Sequence, residues 1–123
     1  MKAQVNEHAQ RVEIRFLEGV RKRCPGDDRV LKVLGDLYTR SGEYEKGLEA
    51  DRSLIRMCPD EPQVWYNLGC SYALVGEKGK AFDALQRAVE LGYDDPDWMN
   101  SDKDLRSIRN DPRFHSLLQR IRG

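Results

Sequence analysis

Few residues in this chain are spaced for chemistry. The two histidines, His8 and His115, stand near opposite ends, so neither has an obvious partner for acid–base or nucleophilic work. The three cysteines, Cys24, Cys58 and Cys70, contain no CxxC pair, and an odd count does not read as a disulfide framework or a zinc site. Cys70 has no histidine at helical spacing to draw off its proton. Cys24 and Cys58 each precede a proline and read as small apolar residues. Asp94-Asp95-Pro96-Asp97 supplies carboxylates without the spacing of a calcium loop. No glycine-rich phosphate loop, HExxH or GxSxG motif is present. The expectation is a protein that is not an enzyme and uses no cofactor and no metal.

Charge narrows the partners. The chain has 123 residues, with 21 basic and 21 acidic side chains, so no net charge steers it toward nucleic acid or an acidic membrane surface. The nearest thing to a basic patch is Arg106, Arg109, Arg113, Arg120 and Arg122 with His115. Asp102, Asp104 and Asp111 interrupt it, and aromatic spacing suited to base stacking is missing. The first twenty residues hold no uninterrupted apolar run, and no segment approaches the roughly 20 apolar residues of a membrane span. These features predict no nucleic-acid partner, no membrane partner and a cytoplasmic location. A chain of this length is expected to be one domain, residues 1–123.

The strongest pattern is a repetition. Trp65, Leu68-Gly69, Tyr72, Gly76, Ala81-Phe82 and Ala88 lie in one stretch, and moving back 34 residues returns Leu34, Gly35, Tyr38, Gly42 and Glu43 opposite Leu68, Gly69, Tyr72, Gly76 and Glu77. A period near 34 with these residues resembles the tetratricopeptide repeat, a helix–turn–helix unit. The segment Asp104-Leu105-Arg106-Ser107-Ile108-Arg109-Asn110-Asp111-Pro112-Arg113-Phe114 is similar to the tails that end many bacterial tetratricopeptide arrays. The resemblance implies an all-α, right-handed α-α superhelix with helical caps. Residues 28–61 would form the first repeat and 62–95 the second, flanked by an N-terminal capping helix (3–24) and a C-terminal helical cap (96–122).

Periodicity supports that division without reference to a family. Val5, Ala9, Val12, Phe16 and Val20 form one stripe on a first helix, widened by Leu17. Val30, Leu31, Leu34, Leu37 and Tyr38 give a second helix ended by Gly42; Tyr44, Leu48, Leu54, Ile55 and Met57 give a third. Cys58-Pro59-Asp60-Glu61-Pro62 is a stop-and-start signal. Trp65, Leu68, Tyr72 and Val75 mark the fourth helix; Ala81, Phe82, Leu85, Ala88, Val89 and Leu91 mark the fifth. Asp95-Pro96 opens a short helix carrying Trp98, whose ring is expected to be buried. Ser101-Asp102-Lys103-Asp104 resembles a capping box, and Asp111-Pro112 opens a last helix with Phe114, Leu117, Leu118 and Ile121 inward. Two repeats alone would leave apolar ends uncovered, which gives the outer helices a capping role.

In tetratricopeptide proteins the first helix of each repeat lines a concave groove. Carried over, that stripe is Arg29, Lys32, Asp36, Thr39 and Arg40 in the first repeat, and Gln63, Tyr66, Asn67, Cys70, Ala73 and Leu74 in the second. The resemblance therefore implies a protein–protein interaction module that binds a peptide or helix. One form of this reading takes an acidic segment or a C-terminal carboxylate. Lys32 and Arg29 would bind the anion, Asn67 would hydrogen-bond the peptide backbone, and Tyr66 with Leu74 would take an apolar side chain. Lys32 and Asn67 match the family's carboxylate clamp; Asp36 stands where the clamp has Asn. The competing reading of Arg29, Lys32, Asp36 and Arg40 is a solvated face of i, i+4 pairs such as Lys32–Asp36 and Asp36–Arg40. The alternative for the whole chain is a self-associating or structural unit, a monomer or weak homodimer, or the terminal piece of a larger repeat protein.

Overall fold

The computed structural model describes the backbone from Lys2 to Gly123 and the side chains from Glu7 onward. The described chain is all helical. Helix α1 spans Lys2–Arg23, α2 Asp28–Arg40, α3 Tyr44–Met57, α4 Pro62–Leu74 and α5 Lys78–Glu90. A short α6 (Pro96–Ser101) leads into a 3-10 helix, η1 (Lys103–Ile108), and α7 spans Pro112–Arg122. Helices α2 with α3 and α4 with α5 form two antiparallel hairpins, and α4 rests on α3.

The 34-residue period is visible in the backbone. α4 begins 34 residues after α2, and α5 begins 34 after α3. The turns match, with Gly42 at φ 84° and Gly76 at φ 86°, a conformation in which a Cβ would clash with the backbone. The phase also runs through the C-terminal cap: Pro96 and Ile108 lie 34 residues beyond the first and last residues of α4, and Pro112 lies 34 beyond the start of α5. Every helix start in this frame is preceded by an acid: Asp27, Glu61 and Asp95 before one set, Glu43, Glu77 and Asp111 before the other. A carboxylate there is favoured by the partial positive charge of the helix N-terminus. The three aspartates accept a hydrogen bond from a nearby backbone N–H, whereas the longer glutamates pair with Lys32, Lys46 and Lys80.

The C-terminal segment keeps the phase but not the stacking. Its first helix is broken at Asp102, whose extended backbone (φ −66°, ψ 117°) separates α6 from η1. η1 lies along α4, and α7 packs on α5. The largest core cluster joins Tyr66, Cys70 and Ala73 of α4, Phe82 and Leu85 of α5, and Met99, Leu105, Ile108, Phe114 and Leu118 of the tail. In the sequence reading Ser101 opens this stretch as a cap; the structure gives the cap to Asp102, whose side chain accepts from Asp104 N at 3.0 Å.

The first helix corrects its expected orientation. Ala9 and Val12 are exposed, and Phe16 is 66% exposed. The buried residue is Ile14, packed with Leu17 and Val30 against Leu34, Leu37 and Tyr38 of α2. Glu18 on the same side accepts from the Tyr38 hydroxyl at 2.5 Å. α1 thus turns a smaller, mixed face to α2. The more continuous apolar stripe is left in solvent, because no helix lies on that side among the described residues. Val5, also counted in that stripe, lies outside the described side chains.

Candidate functional site

A cleft of about 660 Å³ opens between α2, α4 and the α6–η1 segment. α2 contributes Lys32, Asp36, Thr39 and Arg40, a stripe at helical spacing opposite its core face. α4 contributes Gln63, Tyr66, Asn67 and Cys70, and the tail closes the third side with Trp98, Asp102, Lys103 and Asp104. Of the residues expected to line a groove, Lys32, Asp36, Thr39, Arg40, Gln63, Tyr66, Asn67 and Cys70 come together here; Arg29, Ala73 and Leu74 do not.

The tail changes what α4 offers. Tyr66 is only 2% exposed: its ring stacks on Tyr93 with centroids 4.4 Å apart, and its hydroxyl donates to Asp102 Oδ2 at 2.7 Å. The Cys70 thiol also points at that oxygen, 3.7 Å away, and burial pushes its pKa well above the ordinary thiol value. Ser107 donates to the Ala73 carbonyl at 3.4 Å, and the Arg109 guanidinium donates to the Asp102 carbonyl. The inner half of the expected groove face is therefore covered by the chain's own tail. The apolar subsite expected from Tyr66 and Leu74 is not formed, since Tyr66 is in the core and Leu74 is half-buried outside the cleft. Asp102, read from sequence as one of the charges interrupting a basic surface, is the buried anchor of this contact.

The basic residues expected to hold an anion are already engaged. Lys32 Nζ sits 3.1 Å from Asp28 Oδ2 and 3.0 Å from Glu61 Oε2, and these two carboxylates, Glu61 foremost, raise its pKa. Arg29 turns back to Asp27 at 3.0 Å, outside the cleft. Arg40 pairs with Asp36 at 3.0 Å, one of the two i, i+4 pairs that the spacing suggested; Lys32 takes Asp28 instead of Asp36. A carboxylate clamp of free cations is thus not formed. Asp28, Cys58 and Glu61 bring ligand atoms within 4.8 Å of one another, but the Lys32 ammonium supplies the positive charge for both of those carboxylates.

Sequence reasoning missed Asp51. It is on α3, is only 6% exposed, and reaches the cleft between Gly35 of α2 and Ser71 of α4. Ser71 donates to its Oδ2 at 2.5 Å. Burial pushes its carboxyl up to about 6, with Asp36 adding to the effect and the Ser71 hydrogen bond opposing it. The signal was available in the repeat frame. The residue 34 further on is Leu85, which is fully buried against α4. Trp98 is a second departure. Expected to be buried, it is 57% exposed at the cleft mouth.

No family model matches the chain, and no curated protein matches it. Among the described residues, no helix is long and apolar enough to cross a membrane.

Proposed function

We propose that this chain is a tetratricopeptide-type repeat protein, a segment of right-handed α-α superhelix with helical ends. It works without catalysis, as a protein–protein interaction module that takes an extended segment of a partner polypeptide in the cleft between α2, α4 and α6–η1. The observation that carries this reading is the cleft itself, built on the face made by the first helices of two hairpins in 34-residue phase. Its volume, about 660 Å³, lies within the range of well-formed binding sites, about 300–1,000 Å³. An extended segment fits better than a helix, because η1 already occupies the inner face of α4. Asn67 and Gln63, exposed and hydrogen-bonded to each other at 2.9 Å, supply amide groups for a peptide backbone. Three free cysteines suit a reducing compartment, so the proposed setting is the cytoplasm.

Selection from a displayed random-peptide library tests the reading. Peptides enriched on the wild-type protein are remeasured against Asn67→Trp, which fills the cleft from an exposed position, and against Arg52→Glu, an exposed change on α3 outside it. Affinity is expected to fall at least tenfold for the first and to persist for the second. Equal binding to both would move the site elsewhere.

A second reading rests on α1. Ala9, Val12 and Phe16 form an exposed apolar face with no covering helix among the described residues, which favours self-association. Light scattering across a concentration series decides it. A dimer that Phe16→Ser dissolves supports this reading, and a concentration-independent monomer removes it.

A further inference from the structure

The buried carboxylate at the base of the cleft has no counter-charge. Asp51 Oδ2 accepts from Ser71, but among the described residues no donor reaches Oδ1, and no cation pairs with either oxygen. Oδ1 projects through the opening left by the missing side chain of Gly35, where a Cβ would lie 3.2 Å from it. Fully buried positions of this kind are normally apolar, and in the second hairpin the equivalent residue is Leu85. A desolvated carboxylate without a counter-charge costs stability that a leucine would not. The first hairpin carries that cost at a buried position that faces the cleft.

The surroundings share the sign. Asp36 stands on the α2 wall and Asp104 on the η1 wall; burial raises the pKa of both Asp51 and Asp104, with neighbouring acids adding to it, Asp102 foremost for Asp104 and Asp36 a smaller contributor to each. The cations lining the cleft are committed or peripheral: Lys32 to Asp28 and Glu61, Arg40 to Asp36, and Lys103 exposed on η1. At the mouth, Trp98 presents an exposed indole suited to the stem or face of a long cationic side chain. We infer that the cleft is a receptor for one basic side chain, lysine or arginine, of the partner polypeptide, with Asp51 as its counter-charge and Asp104 as the flanking acid. This reverses the acidic ligand expected from sequence, and it rests on the peptide-binding reading above.

The test uses two probes. In the first arm, acetyl-arginine-amide, acetyl-norleucine-amide and acetyl-glutamate-amide are titrated into ¹⁵N-labelled protein. The arginine probe is expected to shift the amide signals of Gly35, Asp51 and Ser71, while the other two leave them in place. The near-isosteric Asp51→Asn, and independently the half-buried Asp104→Asn, should each weaken that response severalfold. The second arm uses the library-selected peptides. A lysine or arginine should recur in them, its replacement by glutamine should cost at least tenfold, and the loss should be non-additive with Asp51→Asn. Peptides that bind the cleft without a basic residue, or unchanged by Asp51→Asn, overturn the inference and leave the peptide reading standing. An arginine response at Asp51 with no cleft-binding peptide does the reverse. No response to the arginine probe overturns the inference directly.

Discussion

At the scale of single residues, Asp51 makes the stability of the fold depend on pH. Burial pushes its carboxyl up to about 6 in the folded chain, against 3.8 as the ordinary value. Between those pH values the folded state holds a proton that the unfolded chain has released, so stability rises as pH falls from about 7 toward 4. A shift of about two units corresponds to roughly 3 kcal/mol. Asp51→Asn should therefore be more stable than the wild type at pH 7.5 by about 1–3 kcal/mol, and should remove much of the gain on acidification. Urea titrations at pH 5 and pH 7.5 check this, and a wild-type stability that falls between pH 7.5 and pH 5 would contradict it. Tyr66 gives the complementary case. Tyr66→Phe keeps the stack on Tyr93 but deprives the buried Asp102 carboxylate of its shortest hydrogen bond, and should cost about 1–3 kcal/mol with faster amide exchange in η1. Asp51 was hidden in the sequence because it belongs to neither expected pattern. It is polar, so it left the core list, and it lies on a second helix, so it left the groove list. Only comparison with Leu85 across the period marks it.

At the scale of helices, Gly69 marks a close approach of α4 and α5. A Cβ on Gly69 would lie 2.7 Å from Leu85 Cγ and 3.2 Å from the Ala81 carbonyl oxygen. Gly69→Ala should lose about 1–3 kcal/mol through overpacking, more than cancelling its gain in helix propensity. Gly79, with nothing within 4 Å of the equivalent point, should gain about 0.5–1 kcal/mol as Gly79→Ala. Thermal denaturation of the two variants should therefore shift in opposite directions. The helix bounds were legible because their determinants are local: Pro62, Pro96 and Pro112 at first positions, Gly42 and Gly76 at the turns, and apolar residues at helical spacing. The facing of α1 was not. Its sequence carries two apolar faces, and the choice depends on Tyr38 reaching Glu18 across twenty residues of chain.

At the scale of the molecule, the C-terminal segment decides how much of the cleft remains open. It starts each helix in phase with the hairpins, yet breaks at Asp102 and folds η1 onto α4 instead of extending the stack. Sequence located the cleft walls, since Lys32, Asp36, Gln63 and Asn67 all line it. It could not reveal the covering of Tyr66 and Cys70, because which segment lies on a helix face is a long-range outcome that periodicity does not encode. It also overestimated the positive charge of the site, because Lys32 is neutralised by Glu61 from a different helix. The proposed function makes this cleft the working surface. Hydrogen exchange of the protein, with and without a library-selected peptide, tests it most directly. Added protection is expected in α2, α4 and η1 around Asp36, Asn67 and Asp104, with α1 and the outer face of α5 unchanged. Protection confined to α1 or α5, with the cleft unaffected, would contradict it.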